Sequence, residues 1–286
     1  MTAVGSWHFV PMKKFRIWFI AMIGVVAVAT TILASSLGLR SAGLAGTSPG
    51  RHFRDDASAH LSLLPSMILW AWDRPEDLRF PVPKRVGVSF LAETLTLIGG
   101  AVQVKPRLHP LKVTPGTPLV ACARIEVDAR YPPTLTSDQV SATASSIARL
   151  GTLRGVIAIQ VDFDATKSQR AFYAELLHEL RRRLPPAMPL SITALASWCA
   201  GDPWLDGLPI DEAVPMIFRM GPDAPEVRLL VANGGDFTPG VCRESIGIST
   251  DEPISSLPTL RRRYIFNFGG WSQAAVRALI AEGIRP

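Results

Sequence analysis

The chain of 286 residues is 48% hydrophobic and 19% charged and has three cysteines, a balance that excludes a disordered chain or a small disulfide scaffold and leaves an ordinary globular protein. Its 30 Lys+Arg against 24 Asp+Glu leave a net charge of +6. The basic residues are scattered or fall in short runs, Arg181-Arg182-Arg183 and Arg261-Arg262-Arg263, with no aromatics between them, so nucleic-acid binding is not indicated. A solvated helix face accounts for the first run and an exposed approach to a strand for the second.

Lys13, Lys14 and Arg16 precede an uncharged run from Ile17 to Ala34. Positive residues before an apolar stretch hold that end in the cytoplasm and send the downstream chain across the membrane. The run is longer than a signal-peptide core and slightly short of a comfortable span, and it has no polar face of the kind a surface helix keeps. An uncleaved anchor is the favoured reading; Ala34-Ser35-Ser36 keeps cleavage and secretion as the alternative. The expected organisation is a cytoplasmic basic segment (1–16), a transmembrane or signal segment (17–36), a linker rich in Ser, Gly and Arg (37–60) and a folded domain (61–286) that faces the periplasm from the inner membrane.

From Leu61 onward, short apolar runs, polar or Pro/Gly breaks and helical stretches alternate, as βα units do. The runs are Met67–Trp72, Val86–Leu91, Leu119–Val127, Val156–Phe163, Leu190–Ala196, Val214–Arg219, Ile246–Ser249 and Tyr264–Phe268. Helices are expected over Ser137–Leu150, Ser168–Leu184, Ala224–Asn233 and Ser272–Glu282, with weak or missing ones after the first two strands. Eight strands in this length predict an α/β fold, a compact (β/α)8 barrel of the TIM type. An open doubly wound sheet is the runner-up, but no Gly-rich phosphate loop follows the first strand.

Strand side chains alternate between two faces, and polar inward residues of a barrel gather at its C-terminal mouth. In the fourth strand Ile157, Ile159, Val161 and Phe163 form the apolar set, leaving Gln160, Asp162 and Asp164 inward. In the third, Cys122, Arg124, Glu126 and Asp128 face inward by the same rule. Parity also selects Glu93, Ser191, Thr193, Arg219 and Asn267, and Asp73 closes the first strand. Asp162, Asp164 and Glu126 are the candidate catalytic carboxylates, since glycosidic-bond chemistry needs an acid and a second carboxylate of different pKa. The competing reading has Arg124 and Arg219 neutralising them in a structural network, with Asp164 helping to cap the next helix.

Trp70, Trp72, Trp198, Trp204 and Trp271 fall near predicted strand ends. Trp72, Trp198 and Trp271 are the candidates for stacking on sugar rings, with core packing as the alternative. Glu93, Asp73, Arg124, Arg219 and Asn267 complete the expected substrate-binding set. The five histidines lie outside the strands and show no HExxH spacing, and no G-x-S-x-G elbow, Walker A loop or dinucleotide fingerprint is present. No metal and no cofactor is expected. Cys122, Cys199 and Cys242 form no CxxC pair, and strand placement puts Cys199 and Cys242 at opposite barrel ends, so free, partly buried thiols are expected.

Val161-Asp162-Phe163-Asp164-Ala165-Thr166, then Phe172-Tyr173, Leu184-Pro185 and Leu190–Trp198, resemble a bacterial family known as domain of unknown function 3142. The likeness runs from about Met67 to Arg219 and implies a barrel related to glycoside hydrolases. The Asp-x-Asp also resembles part of the D-x-x-D-x-D-x-E signature of family 18 chitinases. Asp162 and Asp164 match its D-x-D, while Ile159 stands at the first Asp and Thr166 at the acid position. Another carboxylate, Glu126 or Glu93, or Asp164 with a raised pKa, would then have to donate the proton. The expected function is a membrane-anchored, extracytoplasmic barrel that binds a polysaccharide or other glycan. Hydrolysis of that glycan and a non-catalytic role in binding or envelope assembly remain the two alternatives.

Overall fold

The computed structural model describes residues 61–80, 86–252 and 261–281; the basic N-terminus, the apolar run and the linker lie outside them. Eight parallel strands close on themselves: β1 (Met67–Ala71), β3 (Val86–Ile98), β6 (Leu119–Val127), β7 (Val156–Asp162), β8 (Leu190–Leu195), β9 (Glu212–Met216), β10 (Ser245–Ser249) and β11 (Arg262–Phe266), with β11 returning to pair with β1. The fold is a closed TIM-like α/β barrel, and its eight strands are the eight apolar runs of the sequence. The β9–β10 seam is the thinnest, held by the single register pair Gly247↔Met216. A side chain at Gly247 would meet Met216 Sδ at 2.9 Å, so Met216 packs its flexible thioether directly over the glycine.

Helices α1 (Ser137–Leu150), α2 (Arg170–Arg183), α4 (Ala224–Ala232) and α5 (Gln273–Ala281) follow β6, β7, β9 and β11. In α1, Val140, Ala144, Ile147 and Leu150 form the helical stripe buried against the barrel, and the Thr136 side chain caps the first turn by accepting from the Gln139 N–H. In α2 the stripe is Phe172, Tyr173, Leu176, Leu177 and Leu180, and Pro185 lies just past the end of the helix.

Helices were weak in the sequence after the first two strands because extended structure takes their place. β3 runs on for 13 residues, turns at Gly99 (φ 49°) and pairs antiparallel with β4 (Ala101–Pro106). The short strands β2 (Glu76–Leu78) and β5 (Leu111–Val113) pair beside it.

The cysteine expectation is corrected. Cys199 and Cys242 form a disulfide with Cα atoms 5.9 Å apart, and only Cys122, buried in the barrel, is free. Cys199 does lie beyond the C-terminal end of β8, but the single turn α3 (Ala196–Cys199) folds back over β9, and the turn Gly240–Cys242 packs on the same strand. The bond closes a 43-residue separation, worth about 4 kcal/mol by chain entropy. Unfolded without reductant, the chain is expected to titrate one thiol, and reduction to lower its urea midpoint; three titratable thiols in the unreduced protein would refute the pairing.

Candidate active site

The barrel interior is polar along a continuous belt. Ser89 donates to Gln160 (3.2 Å), Gln160 to Ser191 (3.1 Å), and Ser191 to Glu212 (2.9 Å), while Tyr264 donates to the same Glu212 oxygen (2.8 Å). Arg262 pairs with the other oxygen of Glu212 and donates to the Leu61 carbonyl at 2.7 Å. Sequence reasoning missed Glu212 and Arg262. The predicted sixth strand began two residues late, at Val214, and Arg262 was read as exposed approach, whereas its side chain is 10% exposed and faces inward. Parity carried back from Val214 and Tyr264 would have found both.

Toward the C-terminal ends, Asp162 has both oxygens engaged: Arg124 Nη1 donates to one at 2.7 Å and Thr193 Oγ1 to the other at 2.7 Å. Arg124 also donates through Nε to Glu126 at 3.0 Å. The parity assignment therefore holds for Arg124, Glu126, Asp162 and Thr193, and Arg124 does neutralise Asp162. Asp164, two residues on, is different. It makes no hydrogen bond or direct ion pair among the described residues. Its pKa is raised, first by loss of water on its protein side and then by the Asp162 charge, with Arg124 opposing. Nor does it cap the following helix. Thr166 does so, through a capping box with Gln169 in which the Thr166 N–H donates to Gln169 Oε1 at 2.9 Å.

The ring order places β11 diametrically across from β7, and that side of the mouth is aromatic. Trp72 stacks on Phe268 with ring centroids 5.3 Å apart and meets Trp70 edge-on at 5.7 Å; Phe218 adds a third wall at 4.9 Å from Phe266. The indole N–H groups of Trp70 and Trp72 are buried without a partner. Arg219 holds its guanidinium 3.8 Å over the Phe268 ring and pairs with Asp251 at 2.9 Å, not with the β7 aspartates. Its φ of 52° is unusual for a non-glycine residue, and such strain concentrates at sites where geometry matters.

Several expected site residues sit elsewhere. Glu93 does not face the barrel interior, because the β3–β6 register shifts between Leu91 and Glu93 and the bulge flips it outward. There it is buried under α1, accepting from Ser146 Oγ at 3.0 Å, with its second oxygen unpartnered and its pKa raised by burial. Trp198 is buried against Trp204, edge to face at 4.8 Å, and Trp271 is buried with its indole donating to the Trp70 carbonyl at 2.7 Å. Both are packing residues. Asn267 ties the turn 267–270, donating to the Gly270 carbonyl at 2.6 Å, and Asp73 is bound to His109 at 3.0 Å. Trp72 alone of the three selected tryptophans lies at the mouth. No group of three or more His, Cys, Asp or Glu fit to hold a metal occurs among the described residues.

Residues 115–219 match the model of a domain of unknown function, DUF3142. No curated protein matches the chain. Among solved structures, a Streptomyces coelicolor protein assigned as a chitinase A is similar at 11% identity and a TM-score of 0.48, over 75% of this chain and 95% of that one. The Bacillus cereus spore cortex-lytic enzyme SleL is similar at 15% identity and a TM-score of 0.39, over 76% of this chain and 58% of that one. The DUF3142 segment runs from β6 through β9, so it contributes Arg124, Glu126, Asp162, Asp164, Thr193 and Arg219, while the aromatic wall of β1 and β11 lies outside it.

A folded pKa raised above the unfolded value makes Glu93 stabilising only below about its ordinary pKa; the stability it confers is lost as pH rises through the folded pKa. Glu93→Gln is therefore expected to raise the thermal midpoint by a few degrees at pH 7 and to leave it unchanged at pH 4. A lower midpoint at pH 7 would show that the charged form is the one the site accommodates. Arg124→Met, which strips Asp162 of its cation, is expected to cost about 2 kcal/mol in urea unfolding.

Proposed function

We propose that the barrel mouth binds a glycan and that Asp164 is the proton donor in its hydrolysis, on a protein anchored by Ile17–Ala34 with the barrel outside the cytoplasm. The observation that carries this reading is the inequality of the paired aspartates: Asp162 is saturated by Arg124 and Thr193, whereas Asp164 is unpaired with a raised pKa. An acid must hold its proton near neutral pH and be free to deliver it. Asp164 would protonate the glycosidic oxygen as the bond to the anomeric carbon breaks, and Asp162 would stabilise the positive charge that develops there until water adds. The aromatic wall across the mouth offers Trp72 as a face for a sugar ring. The buried disulfide supports maturation outside a reducing cytoplasm.

A second reading, a glycan-binding or assembly protein without turnover, is favoured by Thr166. It stands where family 18 chitinases carry their acid, and its side chain is committed to the capping box. The full-length protein in detergent, assayed against a panel of envelope and exopolysaccharides, separates the two. Hydrolysis predicts turnover that declines as pH rises through the raised pKa of Asp164, and a loss of at least about 100-fold in Asp164→Asn with glycan binding retained. Unchanged turnover in that variant removes Asp164 from the chemistry. Binding that Trp72→Ala abolishes, with no turnover in the wild type, selects the second reading.

A further inference from the structure

In a parallel barrel every strand begins, and every outer helix ends, on the face opposite the mouth. Here that base collects arginines. Arg149 lies in the last turn of α1, Arg154 in the turn into β7, Arg182 and Arg183 in the last turn of α2, all exposed, and Arg263 lies in β11 near its start. On the same face Asp211 pairs with Arg181 and Asp236 with Arg261, so those carboxylates are already engaged. Arg149, Arg154 and Arg263 make no direct ion pair among the described residues, and Arg182 and Arg183 share Glu179. Arg149 spends its donors on the Ser145 carbonyl and Ser146 Oγ instead. Two leucines stand in solvent on the same face: Leu63, 68% exposed in the turn into β1, and Leu153, 44% exposed beside Arg154.

At the mouth the carboxylates are matched more closely: Glu126 and Asp162 share Arg124, and Asp251 and Glu252 share Arg219 and Arg228. The arginines without a direct ion-pair partner named above thus lie at the base. Its first described residue, Leu61, is fastened on the basic side, where Arg262 donates to its carbonyl at 2.7 Å; the uncharged run Ile17–Ala34 lies upstream in sequence.

We propose that the base of the barrel is a docking surface for an anionic phospholipid bilayer. The guanidinium groups meet headgroup phosphates, for which the planar donor fork is suited. Leu63 and Leu153 enter the interface between them, in the arrangement of basic and apolar residues that holds peripheral proteins on membranes. The mouth then faces away from the membrane, toward soluble or wall-bound polymer. This surface is independent of the chemistry at the mouth and stands or falls apart from it.

The test uses the full-length protein reconstituted in vesicles of phosphatidylcholine alone or mixed with phosphatidylglycerol, with amide hydrogen exchange read at residues 61–64 and 151–155. Several-fold slower exchange of both turns is expected in the anionic vesicles only, reversed by high salt, as screening of phosphate contacts demands. Each basic residue at such a surface is worth roughly fivefold in affinity, so Arg154→Glu/Arg182→Glu is expected to abolish the protection while leaving exchange in the neutral vesicles as in the wild type. Should that variant misfold, the salt titration of the wild type decides alone. Should the wild type not be retained by neutral vesicles, sedimentation with the anionic ones is still expected. Equal exchange of the two turns in both lipids, protection confined to the mouth loops, or failure to sediment with anionic vesicles overturns the proposal.

Discussion

Glu212 is the residue on which the barrel depends. Its carboxylate is fully buried and accepts from Ser191, Tyr264 and Arg262, so it joins β8, β9 and β11; through Gln160 and Ser89 the belt reaches β7 and β3. A buried charge is tolerable only when paired and hydrogen-bonded, and removing one partner leaves the rest uncompensated. Since strand side chains alternate with period two, a one-residue slip of any of these strands would point its belt residue at the helices. The belt thus selects one register for most of the barrel. Large apolar side chains, Trp70, Val214 and Phe266 among them, fill the space it leaves.

That belt satisfies the lower interior, and the mouth above it divides by strand. β6, β7 and β8 carry the polar groups and β1 and β11 the rings. Among the carboxylates, Glu126 and Asp162 share Arg124, and Asp251 and Glu252 share Arg219. A network of this kind fixes the positions of its members. Asp164 is excluded from it by one step of the strand. It feels the Asp162 charge and the Arg124 charge through space but bonds to neither.

The barrel was legible because each of its strands is a short apolar run bounded by turn residues, and closure followed from their number. Facing was legible where strands are regular. β6, β7 and β8 obey the alternation, so Arg124, Asp162 and Thr193 could be placed from the residues. It failed on β3, because a single bulge between Leu91 and Glu93 reverses every later residue and leaves no mark in composition. It failed at β11 for another reason: three successive arginines look like surface, and only the partner Glu212, distant in sequence, makes the middle one an interior residue. The disulfide was hidden by the turn Ala196–Cys199, which takes the chain back over β9 within four residues. Tryptophans at strand ends were ambiguous because an indole there turns toward core or cleft on the strength of tertiary neighbours. Trp271 found the Trp70 carbonyl, and Trp72 found Phe268.

The turn after β7 explains how Asp164 can be free and yet positioned. The Ala165 N–H donates to the Phe163 carbonyl at 2.8 Å, and the Thr166 capping box anchors the chain on the other side. Phe163 and Ala165 are buried on either side of it. The backbone of Asp164 is therefore held by its neighbours, and its side chain has no structural task to perform. Asp164 is exposed, yet the protein on one side of its carboxyl and the neighbouring Asp162 charge raise the free energy of its charged form, with Arg124 opposing through space and no bond of its own. With its backbone fixed from both sides and its carboxyl bonded to nothing among the described residues, Asp164 is held in place without being tied down. Thr166 thus has a role of its own at the position where a chitinase-like motif has an acid: it sets the turn that presents the aspartate two residues before it.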